Sequence, residues 1–240
     1  MSTVIDVRTT VGELVAGKPV LARVFEEAGV DYCCGGKRPL EDACRQKGLD
    51  PADFAARLQS AADAADSDDF VDAAAMSLTE LADHIEATHH VYLKEELPRL
   101  DFLTTKVSSV HGQNDPRLHE IRKVFQQFAG ELSSHMMKEE QVLFPMIRQL
   151  EASSSALEFH CGSIANPIRQ MELEHHNAGD GLDRFRSLTD DYTPPDWACN
   201  TYRAMIDALA RLERDMHQHV HKEDNVLYPR ALKREAALAS

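Results

Sequence analysis

HMMKEEQVLFP, from His135 to Pro145, and HVHKEDNVLYP, from His219 to Pro229, are two copies of one motif set 84 residues apart. Six of the eleven positions are identical, among them the histidine, the glutamate four residues later and the proline. Each copy completes an apolar stripe with helical steps of three and four. Leu118, Ile121, Phe125, Phe128 and Leu132 lead to His135 and Glu139, then to Val142 and Met146; Tyr202, Met205, Leu209, Leu212 and Met216 lead to His219, Glu223 and Val226. Four residues of helix turn through about 400° and rise about 6 Å, so each histidine and its glutamate face the core together, one turn apart.

Two further helices complete the pattern. Ile168, Met171, His175, Ala178, Leu182 and Phe185 place His175, and not His176, on the inner face. On the first helix the period leaves two residues open: His90 runs into Leu93, Leu97 and Leu100, whereas His89 follows from Leu81 and Ile85. The steps from His90 to His135 and from His175 to His219 are 45 and 44 residues, so the chain reads as two hairpins, each supplying two histidines and one glutamate. A buried carboxylate without compensation costs several kcal/mol. Metal ions held between facing helices compensate that charge directly. Four imidazoles, two bridging carboxylates and a solvent-derived bridge give each of two ions five ligands, leaving one octahedral position open. An open position suits a diatomic ligand, redox chemistry or surrender of the metal. Structural zinc prefers four closed ligands, so the donor set favours iron or manganese.

Composition narrows the remaining classes. Among 240 residues, 43% are hydrophobic, ample for a core. Forty acidic against 26 basic residues give a net charge of -14, which argues against nucleic acid or an anionic membrane surface as a partner. MSTVIDVRTT has no basic segment followed by an apolar one, and no run reaches the roughly 18 apolar residues of a membrane span; the expected location is the cytoplasm. Five scattered cysteines read as free thiols in a reducing compartment. Glycines punctuate residues 1–60 into a small helical domain carrying the vicinal pair Cys33 and Cys34. Residues 61–76, opening AADAADSDDFVDAAA, have little to bury and read as a linker; 77–240 form the bundle. Ser77 with Glu80, Asp115 with Pro116, Asn166 with Pro167, and the stretch near Asp196 after Pro194 and Pro195 mark its four helix starts. No segment alternates long enough for a sheet, so the class is all-α.

THHVYLKEELP (88–98), HMMKEEQVLFP, ELEHHNAG (172–179) and HVHKEDNVLYPR together resemble the haemerythrin-like domain of the repair-of-iron-centres di-iron proteins. DYCCGGKRPL, from Asp31 to Leu40, resembles the signature of that family's N-terminal domain. The resemblance implies an up-down four-helix bundle preceded by a small helical domain. It makes His90 the first-helix ligand, beside His135, Glu139, His175, His219 and Glu223, around two non-haem iron ions with an oxo or hydroxo bridge. It further implies repair of iron-sulfur clusters damaged by nitrosative or oxidative stress, by donation of iron, with damaged or apo iron-sulfur proteins as partners. The alternative it carries is binding of nitric oxide or another diatomic molecule, or nitric oxide reduction, which would make the protein an enzyme; a homodimer is compatible with either. Oxygen carriers of the same fold add a histidine four positions after the third-helix ligand, where this chain has Gly179.

Four other residues are candidates. Cys33 and Cys34 lie in a glycine-flanked turn, where they are expected to be accessible; Lys37 and Arg38, folded over it, would lower the thiol pKa values. Such a pair could accept iron, bind nitrosyl iron or relay electrons. Glu131, one turn before His135, and Glu174, directly before His175, are placed either to hold the second nitrogen of a ligating histidine or on a solvated face. Cys44, Cys161 and Cys199 read as structural. His84, His111, His119, His160, His176, His217 and His221 read as ordinary surface histidines.

Overall fold

Ser77 and Glu80 cap one another. The Ser77 N–H donates to Glu80 Oε2 at 2.8 Å and the Glu80 N–H to Ser77 Oγ at 3.1 Å, satisfying two of the N–H groups that a helix start leaves without partners. The helix they start is the first of four rods in a computed structural model that describes residues 5–64 and 71–239. Ahead of the rods come four short helices: α1 (Val11–Gly17), α2 (Leu21–Glu27), α3 (Leu40–Lys47) and α4 (Pro51–Ala64). The first rod is α5 (Leu78–Ile85), a π turn (Glu86–His90) and α6 (Val91–His111); the second is α7 (Arg117–Lys138), a π turn (Glu139–Leu143) and α8 (Phe144–Ala152). The third is α9 (Ala165–Leu188). The fourth is α10 (Asn200–Lys222), a π turn (Glu223–Leu227) and α11 (Tyr228–Leu238). The fold is all-α, with no strand among the described residues. No helix among them is long and apolar enough to cross a membrane.

Three sequence-based boundaries shift. Helix α9 starts at Ala165, whose N–H donates to Ser163 Oγ at 3.1 Å, so Asn166 lies inside the first turn and bonds the Cys161 carbonyl instead. Helix α10 starts at Asn200, because the Ala198 N–H closes a turn on the Pro195 carbonyl at 2.9 Å. Helix α4 runs to Ala64, and Ala61 and Ala62 pack against the core, so the linker's first four residues are helical. Residues 65–70 of the linker lie outside the described residues.

The chain forms two compact units. One comprises residues 83–146 and 158–216. It contains parts of all four rods, and the short turn at residues 112–116 makes α6 and α7 antiparallel neighbours. Leu93, Leu97, Leu100, Ile121, Ile168, Leu182, Met205 and Leu209 are buried in it with Phe125, Phe128 and Phe185; the Phe185 ring centroid lies 6.4 Å from that of Phe125 and 5.6 Å from that of Phe128. Each such aromatic contributes on the order of 2 kcal/mol through burial.

The other unit comprises the described residues up to Ala82 with 147–157 and 217–239. Val11, Phe25, Tyr32, Leu40, Phe54 and Leu58 form its core. Polar side chains tie its segments together. Glu151 accepts the N–H groups of Leu78 and Thr79 at 2.8 Å each, and Arg234 donates to the Leu150 carbonyl at 3.2 Å. Asn225 donates to the Cys33 carbonyl at 3.0 Å, and a Cβ on Gly12 or Gly36 would lie 2.3 or 2.1 Å from its Oδ1. A Cβ on Gly12 would also lie 2.9 Å from the Gly36 carbonyl, whereas one on Gly17 would meet nothing within 4 Å. Gly12→Ala should therefore lower the urea midpoint by the equivalent of about 1–3 kcal/mol. Gly17→Ala should leave it unchanged or raise it by up to about 1 kcal/mol. Equal effects would refute this close approach.

Candidate metal centre

The three π turns begin or end on the residues that the sequence marks. The first ends at His90; the others start at Glu139 and Glu223. A proline inside a helix clashes with the carbonyl four residues back, and Pro145 and Pro229 follow the second and third turns by two residues. A widened turn absorbs that clash and inserts one extra residue into the helical register. The buried stripe beyond Glu139 accordingly continues at Leu143 and Phe144, and Val142, expected inside, is 39% exposed. On the first rod the insertion makes both stripes correct. His89 and His90 are both buried. His89 Nδ1 faces Asp215 at 2.8 Å, and His90 Nε2 faces Glu139 Oε2 at 3.3 Å.

His90, His135, Glu139 and His175 belong to one compact unit, and all four are buried. His135 Nε2 lies 3.3 Å from the Glu139 Oε2 atom that His90 also faces, and 3.1 Å from His175 Nε2. The far sides of two of these rings are held by carboxylates. His90 Nδ1 lies 2.8 Å from Glu140 Oε1 and His135 Nδ1 3.0 Å from Glu174 Oε2. An ionised carboxylate only accepts, so each Nδ1 carries the proton of that bond. A lysine holds each carboxylate in turn, Lys94 on Glu140 at 2.6 Å and Lys138 on Glu174. Phe144 stacks on His90 at 5.7 Å. His219 and Glu223 belong to the other unit, 3.0 Å apart on the fourth rod and both 0% exposed.

Two groups of buried side chains have their ligand atoms within 4.8 Å of one another: His90, Glu139, His219 and Glu223, and His135, Glu139, His175 and Glu223. These residues fit a pair of metal ions. Two nitrogens each about 2.1 Å from one ion, at a right angle, lie about 3.0 Å apart, and His135 and His175 show 3.1 Å. The electrostatics agree. Desolvation lowers the pKa of His135, but the charge of Glu139 and hydrogen bonds to Glu139 and Glu174 outweigh it and raise the value to about 9. The buried carboxylate draws positive charge to itself. The hydrogen bond from His135, with those from Lys138 and Gln170, outweighs burial and holds Glu174 down at about 2.

A cavity of about 390 Å³ reaches this cluster, lined by His135, His175, Lys138, Glu174, Phe128 and Met216 among others. Of the two glutamates singled out beside the histidines, Glu174 holds His135 and not its neighbour His175, whereas Glu131 is exposed and accepts from Gln127 at 2.9 Å. Glu140 escaped notice because its partner His90 is 50 residues away.

The vicinal thiols differ from expectation. Cys33 is buried, not exposed, and Cys34 is half-buried. Cys33 Sγ lies 3.3 Å from Asp31 Oδ1 and 3.7 Å from Cys34 Sγ; the three side chains form a third group with ligand atoms within 4.8 Å. The Cys34 sulfur, burial and the Asp31 charge push the Cys33 thiol up, the opposite of the lowering expected from Lys37 and Arg38. Arg38 turns instead to Gln46. His221, expected on the surface, is buried against Tyr32, ring centroids 5.4 Å apart, and desolvation pulls it down to about 4.

Two family models match this chain: the haemerythrin HHE cation binding domain over residues 81–231, and ScdA_N, a domain of unknown function, over residues 7–62. The chain is 39% identical to the iron-sulfur cluster repair protein YtfE of Enterobacter sp. strain 638 over 221 residues, 92% of this chain and 95% of that protein. It is 38% identical to YtfE of Escherichia coli strain UMN026, with the same coverage, and 35% identical to a probable iron-sulfur cluster repair protein of Haemophilus influenzae over 220 residues, 92% and 95% of the two chains. The chain belongs to the iron-sulfur cluster repair protein family. Within that family's cation-binding fold, the carboxylates behind the imidazoles become testable. Glu140→Ala and Glu174→Ala should each weaken metal binding by about 10- to 100-fold in competition with a chelator, since the histidines lose the acceptors that orient them. Glu131→Ala should leave binding unchanged. Equal losses from all three would refute the distinction.

Proposed function

We propose that this is a cytoplasmic di-iron protein that repairs iron-sulfur clusters damaged by nitrosative or oxidative stress, by giving up iron. His90, His135, His175 and His219 would hold two non-haem iron ions, with Glu139 and Glu223 bridging them. The observation that carries this reading is the burial of both glutamates at 0% exposure beside four imidazoles. Four neutral imidazoles cannot balance two charges; two cations can. The donor set of nitrogens with shared carboxylates suits iron, and the repair role rests on the relatives' names. Bound iron would supply the ion to be transferred and a position for a diatomic ligand.

What the chain itself does is orient and insulate. Glu140 and Glu174 fix the Nδ1 protons of His90 and His135, which leaves both Nε2 atoms facing the Glu139 carboxylate. Lys94 and Lys138 keep those outer carboxylates ionised. Two inner carboxylates place less negative charge around the ions than the four-glutamate shell of ferritin-like sites, so ferrous iron is held less firmly. A second reading, nitric oxide binding or reduction, is favoured by the cavity that opens on His135 and His175. Cys33 and Cys34 would serve either reading as a thiol relay, supported by the grouping of their sulfurs with Asp31.

Anaerobic iron transfer to an apo ferredoxin, followed for the reduced and the oxidised protein, separates donor from reductase. The reduced form should transfer much faster. Equal, slow transfer from both forms, with multiple turnovers of nitric oxide under a supplied reductant, would favour the second reading.

A further inference from the structure

Cys199 and His111 are 88 residues apart in the chain, and His111 Nε2 lies 3.3 Å from the Cys199 sulfur. Both belong to the same compact unit. The Cys199 carbonyl accepts the Arg203 N–H at 3.0 Å, which makes Cys199 the residue that caps α10. Its sulfur occupies the place where a serine or aspartate oxygen would meet the first N–H groups of the helix. His111 is the last residue of α6. The positive end of one helix therefore faces the sulfur and favours its thiolate, and the His111 ring lies within reach of the thiol proton.

The surroundings hold this pair in register. Trp197 and Tyr202 flank the His111 ring at 5.8 and 6.0 Å and contact each other at 5.6 Å. Arg203 Nε donates to the Ala198 carbonyl at 3.1 Å, which brings a cation to the same turn, while Asp115, bonded to the Tyr202 hydroxyl, is engaged by Arg117. Cys199 is exposed, and Trp197 beside it is 51% exposed. The N–H groups of Tyr202 and Thr201, with His111, hold the Cys199 thiol below its ordinary value. Reactive cysteines occupy electropositive, accessible positions of this kind, whereas structural ones are buried and inert.

We propose that Cys199 and His111 form a nucleophilic pair and that Cys199 is a site of S-thiolation by the disulfide of a low-molecular-weight thiol. His111 takes the thiol proton. The Cys199 thiolate attacks one sulfur of the disulfide, a Cys199–sulfur bond forms, the original S–S bond breaks, and the departing thiolate takes the proton back from His111. Cys199 is oxidised to a mixed disulfide and one equivalent of small thiol is released, so the disulfide is the oxidant and no other is needed.

The test uses the full-length protein as isolated, treated with oxidised glutathione at neutral pH, quenched by alkylation and mapped by peptide mass. A synthetic peptide spanning residues 195–204 serves as the equally exposed, unfolded reference. Native Cys199 should react about three- to tenfold faster than the same cysteine in the peptide, because the gain in thiolate outweighs the lower nucleophilicity of a more acidic thiol. His111→Gln should remove most of that gain. A native rate no more than twofold above the peptide overturns the proposal, whether or not the variant folds. Retention of the full gain in a folded His111→Gln protein overturns it too.

Discussion

Glu139 and Glu223 sit at 0% exposure, and the rest of the bundle is arranged around that fact. A carboxylate removed from water loses several kcal/mol of hydration and must recover it from partners. Here the nearest groups are imidazoles, which as neutral rings offer one N–H each. The pressure shows in His135, which the Glu139 charge raises to about 9 against its own burial. A pair of cations removes the same pressure without protons, and does so for both glutamates at once. The outer ring follows the same logic: Glu140 and Glu174 are carboxylates kept ionised by lysines so that they can hold the imidazole protons.

Much of this was legible in the sequence because its parts are local. His135 with Glu139 and His219 with Glu223 are one helical turn apart on apolar stripes, and His175 lies on a third. The ambiguity between His89 and His90 had a physical cause. A π turn inserts one residue between the stripe that ends at Ile85 and the stripe that starts with His90, so no single helical period describes the rod. The same insertion explains the exposure of Val142. Contacts between residues far apart in the chain stayed hidden: Glu140 on His90, Asp215 on His89, Tyr32 on His221 and His111 on Cys199. Nothing in a helical period or a cap signature encodes which distant segment a side chain will meet.

The vicinal cysteines show how burial overrides a local reading. A glycine-flanked turn suggested accessible thiols, yet Cys33 is buried. Its carbonyl is bonded to Asn225, inside the π turn that starts at Glu223, and Gly12 and Gly36 are glycines because the Asn225 side chain fills the space of their missing Cβ atoms. The turn that carries the thiols is thus attached to the helix segment that carries His219 and Glu223, within one compact unit. Tyr32, packed on His221, adds a second contact between the same two segments.

If two cations compensate the two buried carboxylates, iron will stay with the protein in a fixed ratio. Elemental analysis of the purified, full-length protein after anaerobic loading with ferrous iron and removal of excess tests it most directly. About two iron ions should remain per chain, the number that the two overlapping groups of ligand atoms can hold. A ratio near one, or none retained, would contradict it.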